Sequence, residues 1–128
     1  MSARVLLVSK DPLALAGISH AIQSQLPPVT VETASSADRA LILVATIDFD
    51  VIVFPAPMPD IDVILFLKEV KSLRPQSMAL VAGDPGDEHL RHTAIRYGAD
   101  GFIEQPIVID RFISILRRAI DDRHSLPA

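Results

Sequence analysis

The chain has 128 residues, of which 49% are hydrophobic and 22% are charged, and its formal net charge is −4 at pH 7. This length suits a single domain with a substantial core, and the acidic balance gives no support for direct binding to nucleic acid. The lack of cysteine excludes disulfides, thiol catalysis and cysteine-ligated metals, and no apolar run approaches the roughly 20 residues of a membrane span.

The first predicted strand covers residues 4–8, and the short stretch before it leaves no room for a signal peptide. We therefore expect a cytoplasmic protein. Asp11 is placed to cap the first helix, Pro12 to open it, and Pro27-Pro28 to end it. The alternating, β-branched segment 29–33 predicts the second strand.

Either Ser35 or Ser36 can cap the second helix, which runs to about residue 46. The third strand is predicted at 51–54, and its wholly apolar sequence is typical of a strand covered on both faces. Asp60 or Asp62 then starts a third helix that reaches about residue 73.

The last third of the chain repeats this alternation. In order, we expect a strand at 78–82, a turn at 83–86, a helix at 87–97 ended by Gly98, a strand at 101–104 and a helix at 108–122. Five strands alternating with five helices predict right-handed crossovers and a parallel sheet covered on both faces. The strand order cannot be read from this pattern alone.

Three segments, in this order and spacing, carry a resemblance to a known family: 5–13, 50–59 and 98–106. From Arg4 to about Asp122 the chain resembles the receiver domain of bacterial response regulators in two-component systems. The resemblance implies an α/β, flavodoxin-like (CheY-like) three-layer sandwich with strand order 2-1-3-4-5 and five helices. It makes 1–123 a receiver-like domain and 124–128 a tail or the start of a linker. The functional site is then expected at the carboxyl ends of the strands.

In that family, two acidic residues and a phosphoacceptor aspartate hold Mg²⁺, and a lysine and a hydroxyl residue contact the phosphoryl group. None of these groups is present here. Ser9 and Lys10 stand at the acidic pair, Pro55 at the acceptor, and Gln105 at the lysine. The hydroxyl position falls on Ala82, or on Gly83 if the loop is aligned one residue differently. The sequence therefore predicts no phosphorylation, no metal site and no cofactor.

The supporting residues of the family pattern are retained. They are Met58, Pro59 and Ala99, Phe102 at the aromatic switch position, and Pro106, which we expect to follow a cis peptide. We also considered that Lys10 replaces the missing cation by pairing with Asp60 or a loop carbonyl. A solvated Lys10 is the alternative.

Two surfaces are candidates for partner binding. Ile42 and Leu65 occupy helix positions where the periodicity predicts solvent, and such clusters can mark a contact surface. A mixed-charge surface on helix 4, strand 5 and helix 5 is the usual output or dimer surface by resemblance. Its residues are Arg91, His92, Arg96, Glu104, Arg111, Arg117 and Arg118. His89 and His92 could share a metal, but no third ligand is in view, so two exposed histidines are the simpler interpretation.

The sequence thus predicts a non-phosphorylatable receiver-like module, not an enzyme, that acts by protein contact. Its partner would be an output domain, a histidine kinase, another regulator or a second copy of itself. A small-ligand sensor remains an alternative, using a neutral pocket lined by Ser9, Pro55, Ala82 and Gln105. An enzyme of the same fold is the least favoured, because no acid, base or nucleophile converges at the strand ends.

Overall fold

The computed structural model describes residues 3–26 and 28–125 and confirms the predicted fold. The strands are β1 (Ala3–Val8), β2 (Val29–Ala34), β3 (Val51–Pro55), β4 (Met78–Gly83) and β5 (Gly101–Glu104). The helices are α1 (Pro12–Gln25), α2 (Ala37–Thr46), α3 (Val63–Leu73), α4 (Glu88–Arg96) and α5 (Ile109–Ser125). All strand pairs are parallel, in the order β2-β1-β3-β4-β5. Pro27 and residues 126–128 of the expected tail lie outside the described residues.

Two apolar layers cover the sheet because successive side chains in a strand point to opposite faces. In β3, Val51 and Val53 pack with residues of α1 and α5, such as Ile22 and Phe112. Ile52 and Phe54 pack on the other face with residues of α2, α3 and α4. There the rings of Phe54 and Phe66 meet edge to face, with centroids 4.8 Å apart. Within the described residues, no helix is long and apolar enough to cross a membrane.

Short polar side chains begin four of the helices, as the sequence predicts. Asp11 accepts hydrogen bonds from the backbone N–H groups of α1, Ser36 from α2, Asp62 from α3 and Asp87 from α4. The structure thereby selects Ser36 over Ser35 and Asp62 over Asp60. Gly98 follows α4 with φ of +109°, a conformation that favours glycine.

The carboxylate of Asp50, just before β3, connects three elements at the amino edge of the sheet. The Arg4 N–H donates to its Oδ2 at 2.8 Å. Its Oδ1 lies 3.0 Å from Nε2 of His124 and 3.8 Å from Nε of Arg123. Arg123 also donates to the exposed Asp48. These contacts hold the last turn of α5 against the sheet.

This arrangement corrects the predicted end of α5. The sequence indicated a helix to about Asp122 and a tail from residue 124, but α5 continues through Ser125. The extension is explained by Arg123 and His124, whose partners Asp48 and Asp50 lie far away in the chain. Periodicity within the helix carries no sign of such partners.

We expect Asp50→Ala to lower the free energy of unfolding by about 2 kcal/mol, because a largely buried carboxylate that accepts hydrogen bonds is removed. Urea denaturation followed by circular dichroism measures this. Asp48→Ala is the matched control, since Asp48 is exposed and exposed ion pairs contribute less than about 1 kcal/mol. Equal losses in the two variants would show that Asp50 has no special structural role.

Candidate functional site

Four of the residues predicted for the degenerate site lie together at the carboxyl edge of the sheet. Ser9, Pro55, Ala82 and Gln105 line one cavity of about 120 Å³. The sheet brings them together because β1, β3, β4 and β5 are parallel and all end at this edge. The site is therefore assembled from four separate segments of the chain.

The remaining walls of this cavity were not identified from the sequence. Residues of α1 and α5 and of the loop before α5 complete it, including Ala14, Leu15, Ile18, Ile107 and Phe112. The available signal was helical spacing, which puts Ala14 and Ile18 one turn apart on the same face of α1. That spacing alone does not distinguish a cavity wall from ordinary core.

Pro55 is accommodated because of its place at the end of β3. The β1–β3 ladder includes Leu7 and Val53 and goes no further towards Pro55. The missing N–H of proline therefore interrupts no bond to β1, which is the usual condition for proline in a sheet. On the other side, Pro55 is aligned with Ala82, and the next residue, Ala56, donates its N–H to the Ala82 carbonyl at 2.7 Å.

Lys10 does not join this site. Its side chain is exposed and makes no ion pair or hydrogen bond with the described residues. The predicted partner Asp60 instead accepts the N–H of Ala37, the first residue of α2, at 2.7 Å. The proposed pairing of Lys10 with Asp60 is thus wrong, because Asp60 satisfies a free donor at a helix start.

The acidic residues that follow the strand ends already have partners. Asp11 and Asp62 accept N–H groups at the starts of α1 and α3, and Asp84 accepts the N–H of Gly86. No carboxylate lines the cavity between the strand ends. Within the described residues, no group of three or more His, Cys, Asp or Glu side chains could hold a metal ion.

The two candidates for the hydroxyl position have different surroundings. Ala82 is buried and faces the cavity with Pro55. Gly83 lies under the ring of Phe102, so closely that a β-carbon at Gly83 would be 2.9 Å from Cζ of Phe102. The half-buried Phe102 ring in turn lies below Arg91, with 5.3 Å between the guanidinium carbon and the ring centroid. The absence of a side chain at Gly83 allows the Phe102 ring to lie this close.

The retained supporting residues lie at different places in the fold, and none of them lines this cavity. Met58 and Ala99 are buried in the layer that contains α2, α3 and α4. The peptide before Pro106 is cis, as predicted, and so is the peptide before Pro57, which was not predicted. Pro59 is exposed.

Only some of the residues predicted for the mixed-charge surface lie together. Arg91 and Glu104 form an ion pair of 3.5 Å between α4 and β5, and both line a cavity of about 240 Å³ with Arg111. His92 lies 3.8 Å from Glu88 on the exposed side of α4, and Arg96 is exposed. His89 is also exposed.

Ile42 on α2 and Leu65 on α3 lie on neighbouring helices, with 62% and 55% of their surfaces exposed. The helical periodicity predicted solvent at both positions. Their exposure leaves apolar surface available on two adjoining elements.

Comparison with known proteins identifies several similar chains. The sequence profile described as the response regulator receiver domain matches residues 5–117. The chemotaxis protein CheY of Bacillus subtilis (strain 168) is 28% identical over 72 residues, which are 56% of this chain and 60% of that protein. The match thus spans less than two thirds of the relative's length.

Solved structures share the fold over nearly the whole chain. The CheY-like receiver domain protein of Methanospirillum hungatei JF-1 has a TM-score of 0.89 and 19% identity, covering 97% of this chain and 98% of that one. The beryllofluoride-activated NtrC4 receiver domain dimer has a TM-score of 0.85 and 27% identity, covering 94% and 98%. NtrX from Brucella abortus has a TM-score of 0.87 and 24% identity, covering 97% of this chain but 28% of that one.

We expect Mg²⁺ to leave the thermal unfolding midpoint unchanged relative to sodium chloride of the same ionic strength. Mg²⁺ requires oxygen ligands that include at least one or two carboxylates, and the cavity wall supplies none. Differential scanning fluorimetry over a series of Mg²⁺ concentrations measures this. A saturable rise in the midpoint would contradict it.

Proposed function

Because this chain belongs to the response regulator receiver domain family, we propose that it is a signalling module that binds other proteins without accepting a phosphoryl group. The single observation that carries the proposal is Pro55. It ends β3 and lines the cavity at the position that, by resemblance, corresponds to the phosphoacceptor. Proline has neither a carboxylate nor a hydroxyl group that could form the phosphoryl bond.

The surrounding groups support the same conclusion. Phosphoryl transfer depends on cations that neutralise charge on the transferred group. Gln105 is neutral where a lysine would form charge-assisted hydrogen bonds. Ala82 and Gly83 have no hydroxyl to bind the phosphoryl oxygens. The exposed Lys10 side chain makes no hydrogen bond or ion pair with the described residues and does not line the cavity.

Asp50 is not a substitute acceptor in this proposal. It lies five residues before Pro55 along β3, which corresponds to roughly 16 Å at about 3.3 Å per residue. Its carboxylate already accepts the Arg4 N–H and contacts His124. A phosphoryl group there would have to displace these partners at the opposite edge of the sheet.

Without an acceptor, a partner must select between conformations by binding one better than the other. The surface of α4, β5 and α5 suits this task, because Arg91, Glu104 and Arg111 present both signs of charge. Such complementary charges favour specific, reversible contacts. The partner we propose is an output domain, a histidine kinase, another regulator or a second copy. The dimer reported for the similar NtrC4 receiver and the longer NtrX chain agree with such arrangements.

Incubation with acetyl phosphate and Mg²⁺ is expected to add no phosphoryl mass to the protein. Pro55→Asp alone is also expected to remain unlabelled, because Ser9, Lys10 and Gln105 still supply neither metal ligands nor a cation in the cavity. Intact-mass spectrometry measures both, with a phosphorylatable receiver as positive control. A phospho-aspartate on the unmodified chain would disprove the proposal, and efficient labelling of Pro55→Asp would show that the cavity retains its chemistry.

A second copy of the chain is one of the proposed partners, and a substitution at Leu65 tests whether the chain self-associates through α2 and α3. If α2 and α3 form the contact, Leu65→Glu should weaken self-association about tenfold or more, since a charge would be buried at an apolar interface. Sedimentation equilibrium measures the association constant. Gln23→Glu, at an exposed position on α1 across the sheet from α3, makes the same change of one charge unit and is the control. Unchanged association of Leu65→Glu would exclude this surface.

A further inference from the structure

We propose that the cavity at the carboxyl edge of the sheet binds a small, uncharged aromatic molecule carrying one hydrogen-bonding group. The inner cavity has a volume of about 120 Å³. A second, more open cavity of about 470 Å³ shares the wall formed by Ala14, Ile18, Gln105 and Ile107. The second, outer cavity therefore adjoins the inner one at these four residues.

The chemistry of the wall favours an apolar ligand over water or an ion. No lining residue of the inner cavity is charged, and only Ser9 and Gln105 have polar side chains. Buried water needs two to four polar partners, whereas an apolar cavity of about 150 Å³ in another protein stays dry and takes up benzene. An anionic or cationic ligand would lose its hydration here without gaining an opposite charge.

Gln105 supplies the hydrogen-bonding partner. Its backbone N–H donates to the Gly83 carbonyl at 2.9 Å, which fixes the residue at the cavity wall. Its half-buried side-chain amide makes no hydrogen bond with the described residues. A neutral amide can both donate and accept, so it matches a ligand N–H or O–H group without requiring charge.

An aromatic ring fits the apolar part of the site. Phe112 lies at the inner wall but is fully buried, so a ligand ring would meet it after a small shift of the neighbouring side chains, in the offset or edge-to-face arrangement that aromatic pairs favour. Leu13 lines the outer cavity and is 83% exposed. A ligand that extends from the inner to the outer cavity would cover this leucine, which otherwise presents its side chain to water.

Indole is a suitable probe because the chain contains no tryptophan. We expect indole fluorescence to shift to shorter wavelength on binding, with a saturable dependence on protein concentration. Methyl resonances of Ala14, Ile18 and Ala82 should shift in the same titration, while that of Leu65 on α3 should not. Phenol should compete with indole.

Variants at α1 and β5 localise the binding. Ala14 lines both cavities, so Ala14→Leu should fill part of the shared space and weaken indole binding about tenfold or more. Ala16→Leu, at an exposed position that lines neither cavity, is the matched control and should bind like the unmodified protein. Gln105→Met keeps a similar volume but removes the amide that would hydrogen-bond to the ligand, and should also weaken binding.

The outcomes decide the proposal. It is overturned by the absence of saturable binding of indole and phenol, or by equal affinities of Ala14→Leu and Ala16→Leu. Thermal unfolding of each variant identifies any loss that comes from misfolding, and Gln105→Met then provides the independent test. The measurement involves no phosphoryl donor, so its failure would leave the proposed function standing.

Discussion

The structure depends on the burial of both faces of a parallel sheet. β3 lies at the centre and contributes alternate side chains to two apolar layers, so neither face can tolerate an unpaired polar group. Polar function is thereby confined to the two edges of the sheet, where the strands end. The amino edge carries the Asp50 contacts, which are structural, and the carboxyl edge carries the cavity.

The helices and strands could be predicted because their signals are local, whereas the strand order followed from the resemblance. Neighbours in sequence indicate the apolar third strand, the cap of α1 at Asp11 and the end of α4 before Gly98. They also limit the cap of α2 to Ser35 or Ser36 and that of α3 to Asp60 or Asp62. The errors arose where the determining contact is distant. The hypothesis that Lys10 replaces the missing cation by pairing with Asp60 is wrong, because Asp60 accepts the N–H of Ala37, the first residue of α2. Likewise, the end of α5 depends on Asp48 and Asp50, which lie more than 70 residues earlier.

Four of the five residues predicted for the candidate site line one cavity, whereas Lys10 does not. Resemblance selected Ser9, Pro55, Ala82 and Gln105 one at a time, and the structure finds them around one cavity. The apolar wall from α1 could not be anticipated, because helical spacing gives the same pattern for core and cavity. The close approach of Phe102 to Gly83 also has no sequence signal beyond the glycine itself.

The replacements at this edge are chemically consistent with one another. Removing only the acceptor would leave two carboxylates and a lysine arranged around an absent group. Buried charges without partners are destabilising, so the neutral residues Ser9, Pro55 and Gln105 at the cavity wall suit the proposed function, while Lys10 is exposed. The cavity at this edge is uncharged and largely apolar, which suits the proposed function.

The position of α5 has a structural consequence. The helix starts beside Gln105 and Ile107 at the cavity and ends where His124 meets Asp50, about 25 Å away for 17 residues. It is therefore one continuous helix with one end at each edge of the sheet. The Asp50 contacts and the cavity are thus joined by one continuous helix, although they lie at opposite edges of the sheet.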